Sequence, residues 1–503
     1  MFKIFTGNDL VEEYHKRKKQ FRASAFTLHL VKIAFAVLVG LILWILPTSS
    51  FGIEGLTLIE QRVIAVFCFA TMMWIFEAIP SWTTSVMIIV VLLFTCSDSS
   101  LFCFVDANEE ILGQTISYKR LMACFADPII MLFIGGFILA IAATKSGLDV
   151  VLAKALLAPF GTKSENVLLG FLLVTGFFSM FLSNTATAAM MLTFLAPVLK
   201  SLPEGGKGKI GLALSIPIGA NIGGIGTPIG TPPNAIALKF LNDHEGLNMN
   251  IGFGEWMMVM FPLTIVLLFI AWVLLKSMFP FTQKTIKLEI QGETKKDWRS
   301  ILVYVTFAVT IFLWMFDKKT GVDSNVVAML PVGVFCVAGI ITRADLEEIN
   351  WSVLWMVAGG FALGVALQDT GLAAHIISTI PFASWSPVIM IIGSGILCYA
   401  MANFISHTAT ANLLIPILTL AGTSAASTLA PFGGVSTLLI GVALGSSLAM
   451  ILPISTPPNA LAHATGFIDQ KHMMRVGIIM GVIGLVLGYT LLMFVGKAGV
   501  IGQ

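Results

Sequence analysis

Four short polar stretches stand out in an otherwise apolar chain. Ser183-Asn184-Thr185-Ala186-Thr187-Ala188 has a counterpart in Ser406-His407-Thr408-Ala409-Thr410-Ala411. Each is followed by a second shared stretch, Ile229-Gly230-Thr231-Pro232-Pro233-Asn234-Ala235 and Ile454-Ser455-Thr456-Pro457-Pro458-Asn459-Ala460. Proline lacks an N–H and clashes with the preceding turn, so each Pro-Pro pair breaks a helix. A broken helix offers free backbone N–H groups and the positive end of its dipole, which attract anions. Ser and Thr hydroxyls and the Asn amide add directed donors. Two such clusters suit the two ends of a small dianion, with Thr185 and Thr408 as the natural pair and Asn184 beside the first. Unwound carbonyls, joined by Ser and Asn oxygens, are hard ligands, so Na+ can be held without a carboxylate. A single Gly-Gly or Pro-Pro pair mostly marks tight packing or a kink in a membrane helix. Paired motifs repeated in the same order point instead to a site.

The elements that must hold these stretches form two similar halves. Gly135-Gly136-Phe137 matches Gly359-Gly360-Phe361 at an offset of 224, Ser183 matches Ser406 at 223, and Thr231 matches Thr456 at 225. Apolar runs predict six spans in residues 33–279, at 32–46, 63–79, from 85, at 128–143, 210–226 and 256–275. Five more follow in 301–503, at 301–316, 326–341, 353–367, 434–452 and 476–495. The arms around the first tip, 167–182 and 186–199, are short and interrupted by polar residues. They are predicted to form a re-entrant hairpin over 164–201, with its counterpart over 384–425. Irregular backbone at membrane depth is tolerated only where it is buried or lines a cavity. Five spans separate the two copies, an odd number, so the halves face opposite ways. That is the inverted-topology repeat common in secondary transporters.

Composition agrees. Of 503 residues 57% are hydrophobic and 11% charged, with mean hydropathy +0.93, against about 25% charged in soluble proteins. The runs fit helices of about 17–25 residues, and the alternating pattern of a transmembrane barrel is absent. The fold expected is therefore all-α, with eleven transmembrane helices plus two re-entrant hairpins. Residues 1–32 read as a basic, amphipathic cytosolic lead-in and 280–300 as a basic cytosolic loop. No small-residue cleavage motif follows the first apolar run, so that run is expected to be retained. Placing the N-terminus inside leaves only seven of the 29 Lys and Arg on the outer side: Arg62, Lys119, Arg120, Lys239, Lys318, Lys319 and Lys497. The positive-inside rule then puts the C-terminus outside a plasma (cell inner) membrane.

A net charge of +2 gives no reason to expect nucleic acid as a partner. The six cysteines lack metal-ligand spacing; Cys103 and Cys124 share one loop, where packing is a simpler role than pairing. The spans carry no chain of Asp or Glu such as a proton relay uses. Glu77 and Asp127 lie at helix ends, where capping or anchoring explains them. No catalytic pair or metal motif speaks for an enzyme, and no continuous polar pore or charged ring for a channel.

From Glu77-Ala78-Ile79-Pro80 to Thr465-Gly466 the chain resembles the divalent anion/sodium symporter family, whose members carry dicarboxylates, citrate or sulfate. The two Ser-Asn-Thr-type tips and the two Thr-Pro-Pro-Asn breaks are its most specific parts. The resemblance implies a homodimer of elevator-type transporters, each with a scaffold and a moving transport domain. It implies no cofactor beyond Na+ as coupling ion, and a first Na+ site at Ser179, Ser183, Asn184 and Gly230. It implies substrate contacts at Asn184, Thr185, Ser406, Thr408 and Thr456. The second Na+ site would involve Ala402, Ile405, His407 and Ser455, but Ala402 stands where the family often has Thr and His407 where it usually has Asn. An imidazole nitrogen is a poorer Na+ ligand than oxygen.

His407 thus has three readings: a packed, hydrogen-bonded residue, a donor to the substrate, or a titrating switch. The leading function is Na+ symport of C4-dicarboxylates such as succinate, malate and fumarate. The alternatives are a dicarboxylate exchanger or H+-coupled carrier lacking a normal second Na+ site, and a sulfate or phosphate transporter of the same family.

Overall fold

The computed structural model describes residues 23–105, 108–203, 206–243, 246–286, 297–379 and 382–499. Most of the predicted lead-in (1–22) and of the basic loop (287–296) lies outside the described residues. Every regular element among the described residues is helical. The chain divides into two compact units, Met1–Leu121 with Val365–His375, and Met122–Gly364 with Ile376–Gln503.

The first unit holds α1 (Ala23–Ile45), α2 (Leu58–Phe76) and α3 (Ser81–Thr95). A helix leaves its last four carbonyls without partners, and two consecutive polar residues near the start of α2, Gln61 and Arg62, attend to such ends. Gln61 Nε2 donates to the carbonyls of Leu43, Trp44 and Leu46 at the end of α1 (2.8, 3.1 and 2.5 Å). Arg62 donates to the Thr95 carbonyl that ends α3 (2.8 Å) and to Phe104 (2.7 Å). The buried Glu60 closes a capping box with Thr57 and meets His375 Nδ1 at 2.8 Å.

The second unit carries the repeat. Its first half contains α4 (Pro128–Ser146), α5 (Ser164–Phe181), α6 (Asn184–Ser201), α7 (Lys207–Gly224), α8 (Pro232–Leu241) and α9 (Phe253–Met278). The linking helices are α10 (Trp298–Met315) and α11 (Ser324–Val337). The second half follows with α12 (Trp351–Asp369), whose residues from Val365 on belong to the first unit, α13 (Ile389–Ala402), α14 (His407–Ser424), α15 (Gly434–Ser447), α16 (Pro457–Ala464) and α17 (Gln470–Lys497). The pairs α5–α6 and α13–α14 fall where the two hairpins are predicted, and α7–α8 and α15–α16 where the two broken spans are predicted. Among the described residues, seven helices are long and apolar enough to cross a membrane, or eight if the bent pair His407–Ser424 and Ala426–Phe432 is one span.

Residues Gly211–Gly224 of α7 and Val435–Ser447 of α15 are buried without interruption, as expected of helices apolar all round. In contrast, α9 and α17 each turn a stripe of large apolar side chains outward, including Met258, Val266 and Val273, and Val482, Val486 and Phe494. Small residues let helix backbones close up: a Cβ on Gly223 would collide with the backbone of Gly176, where α7 crosses α5. The halves interlock. α16 packs on α6 and α7, and α8 packs on α14 and α15. All six cysteines are free thiols.

Candidate functional site

Each Ser of the two tips is a helix N-cap. Ser183 Oγ accepts from Ala186 N and Ser406 Oγ from Ala409 N, both at 3.2 Å, the usual role of Ser at that position. Asn184 and His407 are therefore the first helical residues of α6 and α14, and Thr185 and Thr408 the second. The sequence placed the motif between the arms; in the structure the second arm begins inside it, and only Leu182 and Ser183 separate α5 from α6. The tip residues thereby lie in the first helical turn, where backbone N–H groups lack intrahelical partners. The hydroxyls of Thr185 and Thr408 have no hydrogen-bond partner among the described residues, although Thr408 is buried.

The first cluster assembles around Asn184. The inward atom of its amide lies 2.5 Å from Ser179 Oγ, 2.9 Å from the Gly230 carbonyl and 3.3 Å from the Ala220 carbonyl. Ser179 Oγ is itself 2.8 Å from Ala220 O. With nitrogen inward, the amide donates to all three; with oxygen inward, four oxygens converge, an arrangement suited to a hard cation. Of the four residues implied for the first Na+ site, Ser179, Asn184 and Gly230 come together, and Ser183 directly precedes Asn184 as its cap. The Ala220 carbonyl joins them and has no signature in the sequence. Thr227 strengthens the arrangement, its Oγ1 donating to the Met180 carbonyl and accepting from Gly230 N.

The second cluster differs. His407 Nε2 lies 2.6 Å from the Ala449 carbonyl, and since a carbonyl only accepts, the Nε2–H tautomer donates. Ser446 Oγ donates to the His407 carbonyl at 2.8 Å. Ala402 is buried and contributes a methyl group where Ser179 contributes a hydroxyl. Ile405 is likewise buried, and Ser455 Oγ donates to Leu452 O at 2.6 Å. No counterpart of the four-oxygen cluster forms here among the described residues.

The prolines act at the far side of each break. Pro232-Pro233 and Pro457-Pro458 open α8 and α16, positions where the missing N–H is no loss. The freed carbonyls need other partners, because the bilayer core supplies none. The Asn of each Thr-Pro-Pro-Asn motif provides them. Asn234 Nδ2 donates to the carbonyls of Gly224, Ile225 and Thr227 (3.0, 3.3 and 2.8 Å). Asn459 Nδ2 donates to Met450 and Leu452 (2.9 and 3.0 Å) and to Ser455 Oγ (3.4 Å). Thr456 Oγ1 caps α16 by accepting from Asn459 N at 3.3 Å. Sequence reasoning missed one further residue, Asn221, whose amide in the last turn of α7 reaches Thr456 and Asn459 of the other half. A lone amide in an apolar, glycine-rich span was the available signal.

Comparison with known proteins gives a consistent result. A family model described as "Sodium:sulfate symporter transmembrane region" matches residues 27–498. The sodium-dependent dicarboxylate transporter SdcS of Staphylococcus saprophyticus is 28% identical over 487 residues, covering 90% of this chain and 89% of that protein. SdcS of Staphylococcus aureus strain USA300 is 29% identical over 510 residues, covering 94% and 91%. Among solved structures, the Alcanivorax borkumensis YdaH transporter matches with a TM-score of 0.53 at 12% identity, covering 83% of this chain and 98% of that one, a likeness of fold.

Proposed function

The chain belongs to the sodium:sulfate symporter family, and we propose that it carries C4-dicarboxylates such as succinate, malate and fumarate across the plasma membrane by Na+ symport. The family is one of transporters rather than enzymes. The relatives named as sodium-dependent dicarboxylate transporters favour a dicarboxylate over sulfate or phosphate. The observation that carries the coupling is the convergence of Ser179 Oγ and the Ala220 and Gly230 carbonyls on the Asn184 amide, whose oxygen, turned inward, completes a four-oxygen set for the cation. Na+ bound there, with the Ser183 carbonyl as a further ligand, draws the first tip and the first break together. Asn184, Thr185, Ser406, His407, Thr408 and Thr456 then face the dianion, with the unpaired Thr185 and Thr408 hydroxyls as donors to its two ends.

In this reading α1 to α4, the broken pair α7–α8, α9 to α12, the broken pair α15–α16 and α17 are the eleven spans. The pairs α5–α6 and α13–α14 are re-entrant from the inside and the outside. The N-terminus is cytosolic and the C-terminus outside, with residues 33–279 and 301–503 as inverted halves. The protein works as a homodimer whose transport domains move as elevators.

A second reading rests on two substitutions. His407 occupies the position of Asn184 in the second half and Ala402 that of Ser179. A second Na+ site built on Ala402, Ile405, His407 and Ser455 would have to rely on carbonyl oxygens. A carrier with that site weakened would exchange dicarboxylates or couple to protons. Uptake of radiolabelled succinate into proteoliposomes, with external Na+, pH and internal dicarboxylate varied one at a time, separates the two. Symport predicts uptake driven by a Na+ gradient alone; dependence on internal dicarboxylate or on a pH gradient selects the second reading. Failure of every dicarboxylate to compete, with sulfate competing, overturns the substrate.

A further inference from the structure

Asn221 lies in the last turn of α7 and is 1% exposed. Its Nδ2 donates to Thr456 Oγ1 at 3.2 Å and to Asn459 Oδ1 at 3.0 Å, two residues of the opposite half. Its own Oδ1 is buried without a partner among the described residues. The preceding carbonyl, that of Ala220, belongs to the oxygen cluster around Asn184. One planar peptide unit therefore joins a cation ligand to the residue that grips Thr456.

We propose that Asn221 is a positioning residue that transmits occupancy of the Asn184 oxygen cluster to the substrate-facing hydroxyl of Thr456. The role rests on the transport reading above. A hydroxyl has one hydrogen and two acceptor lone pairs. Thr456 Oγ1 already accepts from Asn221 Nδ2 and from Asn459 N. With both lone pairs engaged, its hydrogen is the group left over, directed to an acceptor such as a carboxylate oxygen. A cation on the Ala220 carbonyl fixes the 220–221 peptide, and with it the amide that keeps Thr456 in this donor state. The repeat offers no second copy of the link, because Ser446, at the position of Asn221, donates to the His407 carbonyl within its own half.

The test uses purified full-length protein and radiolabelled succinate binding over a Na+ titration. Wild-type protein gains succinate affinity as Na+ rises. Asn221→Ala is expected to lower that gain about tenfold, within the usual range of coupling between sites, over and above the fall in melting temperature that follows from leaving the buried Asn459 Oδ1 without its donor. In a Thr456→Ala background the same substitution should change the gain by less than about twofold, because the two residues act as one unit. Asn221→Ser, which keeps a donor, should restore part of the gain. An undiminished gain in Asn221→Ala overturns the role, and so do losses that multiply in the double variant or are equal in Asn221→Ala and Asn221→Ser. A wild type that binds no succinate at any Na+ concentration overturns the transport reading and this role with it, a result the wild-type arm reports separately.

Discussion

His407 makes the two halves chemically unequal at the scale of one side chain. Its Nε2–H is engaged by the Ala449 carbonyl, so of the three roles open from sequence, the hydrogen-bonded residue has a direct contact to support it. Removing it should leave a buried acceptor unpaired, and His407→Ala is expected to lose about 1–3 kcal/mol of stability, read as a lower melting temperature in detergent. His407→Asn restores the residue type of the first half. It is expected to alter the Na+ dependence of succinate uptake while leaving expression close to wild type. Unchanged Na+ and pH dependence in that variant would exclude any part for His407 in coupling. The identity of this residue was legible in the sequence, but its partner was not. Ala449 offers only a backbone carbonyl, which no pattern of side chains announces.

At the scale of elements, the repeated breaks were visible as motifs, but the work of their asparagines was not. Asn234 and Asn459 attend to carbonyls that exist as unpaired groups only once α7 and α15 have stopped. Their role is defined by the folded break rather than by spacing. The same holds for Gly224, whose Gly-Gly pair reads in sequence as tight packing or a kink. In the structure a Cβ there would lie 2.6 Å from the Asn184 amide oxygen, so Gly224 keeps open the ground on which the cation cluster stands. Two variants separate structure from site. Asn234→Ala takes the side-chain donor from the Gly224 carbonyl, while Ile225 O keeps Trp256 Nε1 and Thr227 O keeps Gly230 N, and it is expected to lower folded yield and melting temperature, at a cost of about 1–3 kcal/mol for the unsatisfied group. Gly224→Ala adds one methyl beside Asn184 and is expected to raise the Na+ concentration for half-maximal uptake far more than it lowers melting temperature. Equal loss of stability in the two variants would place Gly224 among the packing residues.

Across the whole molecule, the number of spans could not be read from helix lengths, because the breaks and several apolar helices of 10–17 residues hide it. The sidedness proposed for the second unit agrees with its ties between loops. Lys239 at the end of α8 meets Asp127 at the start of α4 at 2.9 Å, and Asp127 caps α4 through Ile129 N, the role its helix-end position implied. Phe253 N donates to Asp317 at 2.6 Å. These segments are all expected outside. Lys145 at the other end of α4 meets Asp345 at 2.7 Å and the Ile340 carbonyl at 2.8 Å. Ser164, at the foot of α5, reaches residues 283 and 284 through its Oγ and its N–H. These segments are all expected inside. Every one of these ties joins segments that the eleven-span order puts on one face, and the Lys and Arg bias then states which face is cytosolic. Two positions test that statement. Cys103 is an exposed free thiol in the loop after α3, and Thr162 is exposed between α4 and α5. In a Cys336→Ser background, a membrane-impermeant maleimide should label Cys103 on intact cells. With Cys103→Ser and Thr162→Cys added, labelling should appear only after permeabilisation. The reverse order of labelling would invert the whole molecule, exchanging the faces from which the two tips are reached.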